Sequence, residues 1–264
     1  MKRASVRICG IICAVTAALI SCATPSARPE HWSYTGDRGP DKWASLTPVY
    51  ASCGSGRQQS PINIDGMAGG SGGLKLEYGT TSLAISHHEH VEEIINNGHT
   101  IQVTCDTGSR ITIGTNTYEL KQFHFHTPSE HQIAGKSVPM EMHLVHQSAA
   151  GKLAVVGVLF AIDDRAATIF DTLAQHLPNK PGDRLTKDNV SIDLRALLPS
   201  TTEAYHYQGS LTTPPCSEGV EWVVLAQPKM VRQAVVDAFH SRIGPNNRPV
   251  QALNGRTPTK DITK

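Results

Sequence analysis

Gln122-Phe123-His124-Phe125-His126 is the stretch on which the reading of this chain turns. In an extended strand successive side chains point to opposite faces. Gln122, His124 and His126 therefore project together, while Phe123 and Phe125 pack on the other side. A second run, Glu141-Met142-His143-Leu144-Val145-His146, puts Glu141, His143 and Val145 on one face and Met142, Leu144 and His146 on the other. If the two strands are neighbours, three imidazoles converge on one point. Three histidines with water in the fourth position form the open tetrahedral set that a catalytic zinc needs. Gln122 and Glu141 are placed to take the N–H groups that the ligands leave free, which orients the rings.

The plain alternative is that these are core or surface histidines, since the chain has 13 of them and some clustering is expected. The aromatic frame of this H-x-H, and an E-x-H that follows in an equally apolar strand, favour the metal. His87-His88-Glu89-His90 lies in a polar stretch with no apolar frame and reads as solvated surface. His131, His146, His176, His206 and His240 read as structural.

Working outward, strand-like runs dominate: 74–78, 92–96, 100–105, 110–114, 117–126, 140–147, 152–162, 203–208 and 220–226, many rich in Val, Ile and aromatics. Leu153 to Ile162 is nearly all apolar and suits a strand buried on both faces. Helical spacing occurs in 165–177, where Ile169, Phe170, Leu173 and Leu177 share a face. It recurs in 230–240, through Val231, Val235, Val236 and Phe239. The expectation is a mainly β (α+β) single domain, residues 31–256, around a large and mostly antiparallel sheet with a few peripheral helices. The Gly-rich patch from Gly66 to Gly73 reads as a surface loop, and 257–264 as a tail.

The 264 residues are 39% hydrophobic and 18% charged, ordinary for a folded protein. Lys2, Arg3 and Arg7 precede an apolar run from Ile8 to Ile20, which is short for a membrane span and placed like the core of a signal peptide. Leu19-Ile20-Ser21-Cys22 resembles a bacterial lipoprotein signal, in which Cys22 carries the lipid and becomes the new N-terminus. Ordinary cleavage after Ala23 also fits. Either way residues 1–21 leave, 22–30 form a proline-containing tether, and the mature chain is exported to the cell envelope, as a periplasmic protein or a membrane-anchored lipoprotein. Loss of the three basic residues takes the formal charge from +1 to −2. A near-neutral chain without a basic stripe is a poor nucleic-acid binder. The only membrane contact expected is through the lipid. Cys53, Cys105 and Cys216 remain after export, which predicts one disulfide and one spare thiol. Pattern alone does not choose the pair.

At Gln-Phe-His-Phe-His the chain resembles the α-class carbonic anhydrases, in particular exported bacterial members. Further matches follow in order: Trp32-Ser33-Tyr34-Thr35-Gly36, Gln59-Ser60-Pro61-Ile62-Asn63-Ile64, Asn96-Asn97-Gly98-His99, Ser129-Glu130-His131, Glu141 to His146, Gly209-Ser210-Leu211-Thr212-Thr213-Pro214-Pro215 and Arg248-Pro249. They cover roughly residues 31 to 253. The resemblance implies reversible hydration of carbon dioxide to bicarbonate and a proton, with esterase activity as a side reaction. His124, His126 and His143 would hold zinc. Thr212 would accept a hydrogen bond from the attacking hydroxide and pass its own proton to Glu130. Val145, Val155, Leu211, Val220 and Trp222 correspond to the apolar wall for carbon dioxide, with Thr213 beside them. His99 corresponds to the proton shuttle, and Tyr34, Asn97 and Gln102 to groups that order the intervening waters. The resemblance also implies a Cys53–Cys216 disulfide with Cys105 free.

There are departures. Thr127 stands where animal relatives carry Trp, the segment from Thr127 to Met140 is short, and Gln102 stands where many relatives have Asn. The first two imply a more open cleft. Two rivals are another exported zinc hydrolase and a non-catalytic binding module. The first lacks a free carboxylate base in this scheme. The second would tolerate loss of His143, Thr212 or Glu130, all of which are present. A homodimer is left open.

Overall fold

The strands that carry the two histidine motifs are neighbours. Asn116–His126 and Met140–Gln147 run antiparallel, with His143 opposite His124 and Glu141 opposite His126. The computed structural model describes residues 30–65, 68–69, 74–78, 80–82, 93–105, 107–185, 191–200 and 203–262. Residues 1–29, with Cys22, and the cluster His87-His88-Glu89-His90 lie outside the described residues.

The pair sits in the middle of a large, mostly antiparallel sheet. On one side come Ile101–Thr104, Ile94–Asn96 and Arg184–Leu185; on the other come Leu153–Ile162, Glu218–Leu225, Glu203–Ser210, Thr259–Ile262 and Ala68–Gly69. Leu153–Ile162 is antiparallel to Met140–Gln147 but parallel to Glu218–Leu225. It is buried over most of its length, because both faces of the sheet are covered there.

The two faces have different fillings. Phe123, Phe125, Met142, Leu144, Val156 and Val158 enter the larger core, shared with Phe170 and Leu173 of one helix and Val235, Val236 and Phe239 of another. The opposite face carries the histidines together with Val155, Tyr205, Tyr207, Val220 and Trp222. Alternation of a period-2 strand thus separates an apolar layer from a chemical one.

Four expectations change. The helix placed over 165–177 spans only Ile169–Ala174, because the Asp171 carboxylate accepts the Thr168 backbone N–H at 2.7 Å and starts it there. The helix placed over 230–240 is Gln233–Ile243. Lys229–Val231 is instead a strand parallel to the end of Leu153–Ile162, so Val231 serves the sheet. The expected tail supplies Thr259–Ile262, paired with Glu203–Ser210. Within the Gly-rich patch, Ala68–Gly69 pairs with Thr259 and Lys260.

A third cluster, Trp43, Tyr50, Cys53 and Cys216 with Trp32 and Tyr34 against it, holds the segment before the first strands. Cys53 and Cys216 form a disulfide, and Cys105 is a free thiol, its pKa pushed up to about 12 by burial.

Candidate metal centre

His124, His126 and His143 meet as the strand register requires. Their ring centroids lie 5.1 Å (124–126), 5.3 Å (124–143) and 4.5 Å (126–143) apart. One nitrogen of each falls within 4.8 Å of the other two. The remaining nitrogen is pinned in every case. His124 Nδ1 is 2.9 Å from Gln122 Oε1, His143 Nε2 is 2.9 Å from Glu141 Oε1, and His126 Nδ1 is 2.8 Å from the backbone oxygen of Asn246. Each acceptor fixes the tautomer of its ring, which leaves His124 Nε2, His126 Nε2 and His143 Nδ1 with lone pairs.

Burial, reinforced by neighbouring imidazoles, holds His124 well below its ordinary pKa of 6.5. Burial takes His126 down to about 4 and also lowers His143. All three rings are therefore neutral, the form that binds a cation. Buried polar atoms are nearly always hydrogen-bonded. His126 Nε2 and Glu130 Oε2 are buried and have no partner among the described residues. Three lone pairs aimed at one point, with one nitrogen orphaned, fit a tetrahedral divalent metal with an open fourth position.

Glu130 lies beside this point, its Oε2 3.6 Å from His126 Nε2 and 3.8 Å from His143 Nδ1. Its Oε1 accepts the backbone N–H of Arg248 at 2.8 Å. Burial lifts its pKa to about 7, against the pull of His143, the Arg248 N–H and the Thr212 hydroxyl. Thr212 thus faces the carboxylate, although its hydroxyl stops short of good hydrogen-bond geometry with Oε2. Glu141 is a different carboxylate. Burial pushes it up, but His131 and His143 outweigh that and hold it well below 4.5.

A cleft of about 160 Å³ opens on the cluster. Its lining includes Tyr34, Asn97, His99, Gln102 and Thr213 with His124 and His126. His99 is half-buried, and Asn97 shapes its turn, since its Oδ1 accepts the N–H groups of His99 and Thr100 at 2.9 Å each. Val145, Val155, Leu211, Val220 and Trp222 gather in the apolar cluster on the histidine face. A groove of about 430 Å³ near Arg195 and Lys229 is larger but has no His, Cys, Asp or Glu in its lining.

Two participants were not read from the sequence. Asn246 bonds His126 through its backbone and sends its Nδ2 to the carbonyls of His99 (3.0 Å) and Phe125 (2.9 Å). The Arg248-Pro249 match was the only signal near it. His131, expected to be structural, contacts Glu141 at 2.7 Å.

Comparison with known proteins agrees with this geometry. The sequence-family model for eukaryotic-type carbonic anhydrase matches residues 38–261. A carbonic anhydrase of Pectobacterium atrosepticum is 37% identical over 90% of this chain and 94% of its own length. One of Neisseria gonorrhoeae is 38% identical, over 90% and 92%. The α-carbonic anhydrase of Thermovibrio ammonificans, solved with the inhibitor sulfanilamide, superposes with a TM-score of 0.78 at 35% identity, covering 89% of this chain and 99% of that one.

Proposed function

The chain belongs to the α-class, eukaryotic-type carbonic anhydrase family, and we propose that it hydrates carbon dioxide reversibly at a zinc ion held by His124, His126 and His143. The observation that carries this reading is the convergence of three imidazole nitrogens that keep their lone pairs because the other nitrogen of each ring is pinned. Bound there, zinc supplies Lewis acidity, which lowers the pKa of water from about 15.7 to about 7, a shift whose type example is carbonic anhydrase itself.

The residues divide the remaining work. Neutral ligands leave the ion its full charge. Thr212 accepts a hydrogen bond from the attacking hydroxide and directs its own proton to Glu130, so that a lone pair faces the substrate. Arg248 holds the far oxygen of Glu130 through its backbone N–H. Val145, Val155, Leu211, Val220 and Trp222 give apolar carbon dioxide a dry wall, and Thr213 borders it in the cleft. Each turnover leaves a proton to remove, which His99 takes through water ordered by Tyr34, Asn97 and Gln102. The same nucleophile would attack activated esters as a side reaction.

From the sequence alone, residues 1–21 are proposed as a signal, and Cys22 as a lipid anchor in the cell envelope. Metal analysis tests the site. Wild-type protein should hold one zinc per chain, and His143→Ala should lose it while keeping its far-ultraviolet dichroism. A folded His143→Ala protein with full zinc would refute the ligand set.

A further inference from the structure

A line of buried hydrogen bonds leads away from the metal cluster, and its length exceeds what holding one ligand needs. Glu141 receives four N–H groups. Its Oε2 accepts the backbone N–H of Glu130 (2.9 Å) and of His131 (2.8 Å), and its Oε1 lies against His131 Nδ1 (2.7 Å) and His143 Nε2 (2.9 Å). His131 then meets the Tyr207 hydroxyl through Nε2 at 2.6 Å. Tyr207 also meets Ser60 Oγ at 2.9 Å. Ser60 and Ser210 exchange bonds, each hydroxyl accepting the other's backbone N–H at 2.9 and 3.0 Å. Ser210 stands two residues before Thr212.

Every group in this line is buried, from Ser60 and Ser210 at 0% exposed to Tyr207 at 4%. The packing is built around it. At Gly209 a Cβ would come 2.1 Å from Ser60 Oγ and 2.8 Å from the Tyr207 ring, so only glycine allows the serine to reach the phenol. At Gly157 a Cβ would lie 3.0 Å from Glu141 Oε1. The Tyr207 ring is parallel to Trp222 within 10°, and Trp222 lies 4.8 Å from both His131 and His143. Its indole N–H donates to the Ser210 carbonyl at 2.9 Å.

Burying a hydroxyl gains little over an apolar group of the same shape, and a partly satisfied buried network is costly. A phenylalanine at 207 would fill the space. What the hydroxyl adds is direction: it fixes the His131 ring, and His131 shares Glu141 Oε1 with His143. We propose that Tyr207 and Ser60 are positioning residues for the metal centre, acting through His131 and Glu141 to hold the His143 ring where its Nδ1 meets the other two ligands. This rests on the zinc site proposed above.

The test is the rate of zinc loss from the loaded protein to excess dipicolinate, at room temperature and neutral pH. Tyr207→Phe keeps the ring against Trp222 and removes only the hydroxyl, and should release zinc about tenfold faster, the low end of the effect of an outer partner of a ligand. Tyr205→Phe, a buried tyrosine in the same apolar cluster, should release zinc like the wild type. A purely structural hydroxyl would lower the melting temperature of the zinc-free protein and leave the release rate alone. Unchanged release from Tyr207→Phe therefore overturns the proposal. Should Tyr207→Phe not fold, Ser60→Ala, which removes the phenol's second partner, carries the same expectation, and unchanged release there is equally fatal. A wild-type chain that takes up no zinc, or one whose His143→Ala form holds it equally well, would refute the ligand set instead.

Discussion

His99 and Trp32 stack face to face, their ring centroids 3.8 Å apart and their planes within 10°. The stack anchors a histidine that lines the same cleft as His124 and His126, and the His31 ring lies 6.1 Å from it. Burial, and then the nearby His31, lower the His99 pKa below 6.5. The ring is thus neutral at pH 7 and ready to accept a proton. An NMR titration should place its midpoint below 6.5, and Trp32→Ala should raise it by exposing the ring. His99→Ala should keep zinc and the equilibrium exchange between carbon dioxide and bicarbonate. Its steady-state hydration in dilute buffer should fall about tenfold or more and recover with added imidazole. Normal turnover in weak buffer would show that protons leave by another route.

The Cys53–Cys216 disulfide closes a loop with a sequence separation of 163. It braces the region of Thr212 and Arg248: the Cys53 carbonyl accepts Arg248 Nη2 at 2.8 Å, and the Cys216 N–H donates to the Thr213 carbonyl at 2.8 Å. Chain entropy assigns such a closure about 5 kcal/mol. Cys216→Ser should therefore lower the melting temperature by about 10 °C or more, with hydration falling alongside. Cys105→Ala should change both little. Equal melting of oxidised and reduced protein would contradict this.

His146 should set part of the acid limit of stability. It is buried, its Nε2 is 3.0 Å from the Tyr78 hydroxyl, and burial takes its pKa from 6.5 to about 3. The native state holds it neutral, whereas the unfolded chain protonates it below pH 6.5. Its contribution is therefore complete above 6.5 and is lost as pH falls toward 3. Within that window the loss is about 1.4 kcal/mol per pH unit. His146→Gln, which cannot titrate, should flatten the acid limb of a urea-unfolding series. An unchanged slope would assign the acid limit to other groups.

Processing at the amino terminus separates the two fates read from the sequence. Cys22→Ser should stop maturation by a lipoprotein-specific peptidase and remove the protein from the membrane fraction. If that variant matures and fractionates like the wild type, the chain is a soluble exported enzyme.

The sheet face that carries the chemistry was legible because strand alternation is local: Gln122, His124 and His126 share a side whatever the rest of the chain does. Pairing with the Glu141–His143 strand needed only that two apolar runs be adjacent. The third acceptor was not legible, since His126 bonds a backbone oxygen 120 residues away and a carbonyl has no side-chain signature. His131 reads as structural in the sequence because only tertiary contact brings it to Glu141 and Tyr207. Met230 and Val231 have spacing that suits a helix or a strand, and pairing with Leu153–Ile162 decides for the strand. The disulfide partners likewise came from family resemblance rather than from spacing.

The most direct measurement is stopped-flow hydration of carbon dioxide by the full domain, before stripping with dipicolinate, after it, and after one equivalent of zinc is returned. Hydration far above the buffer rate, its loss on stripping, and its return with zinc are the expected results. Hydration that survives removal of the metal, or a zinc-loaded protein no faster than buffer, would contradict the assignment of His124, His126 and His143 as the catalytic metal site.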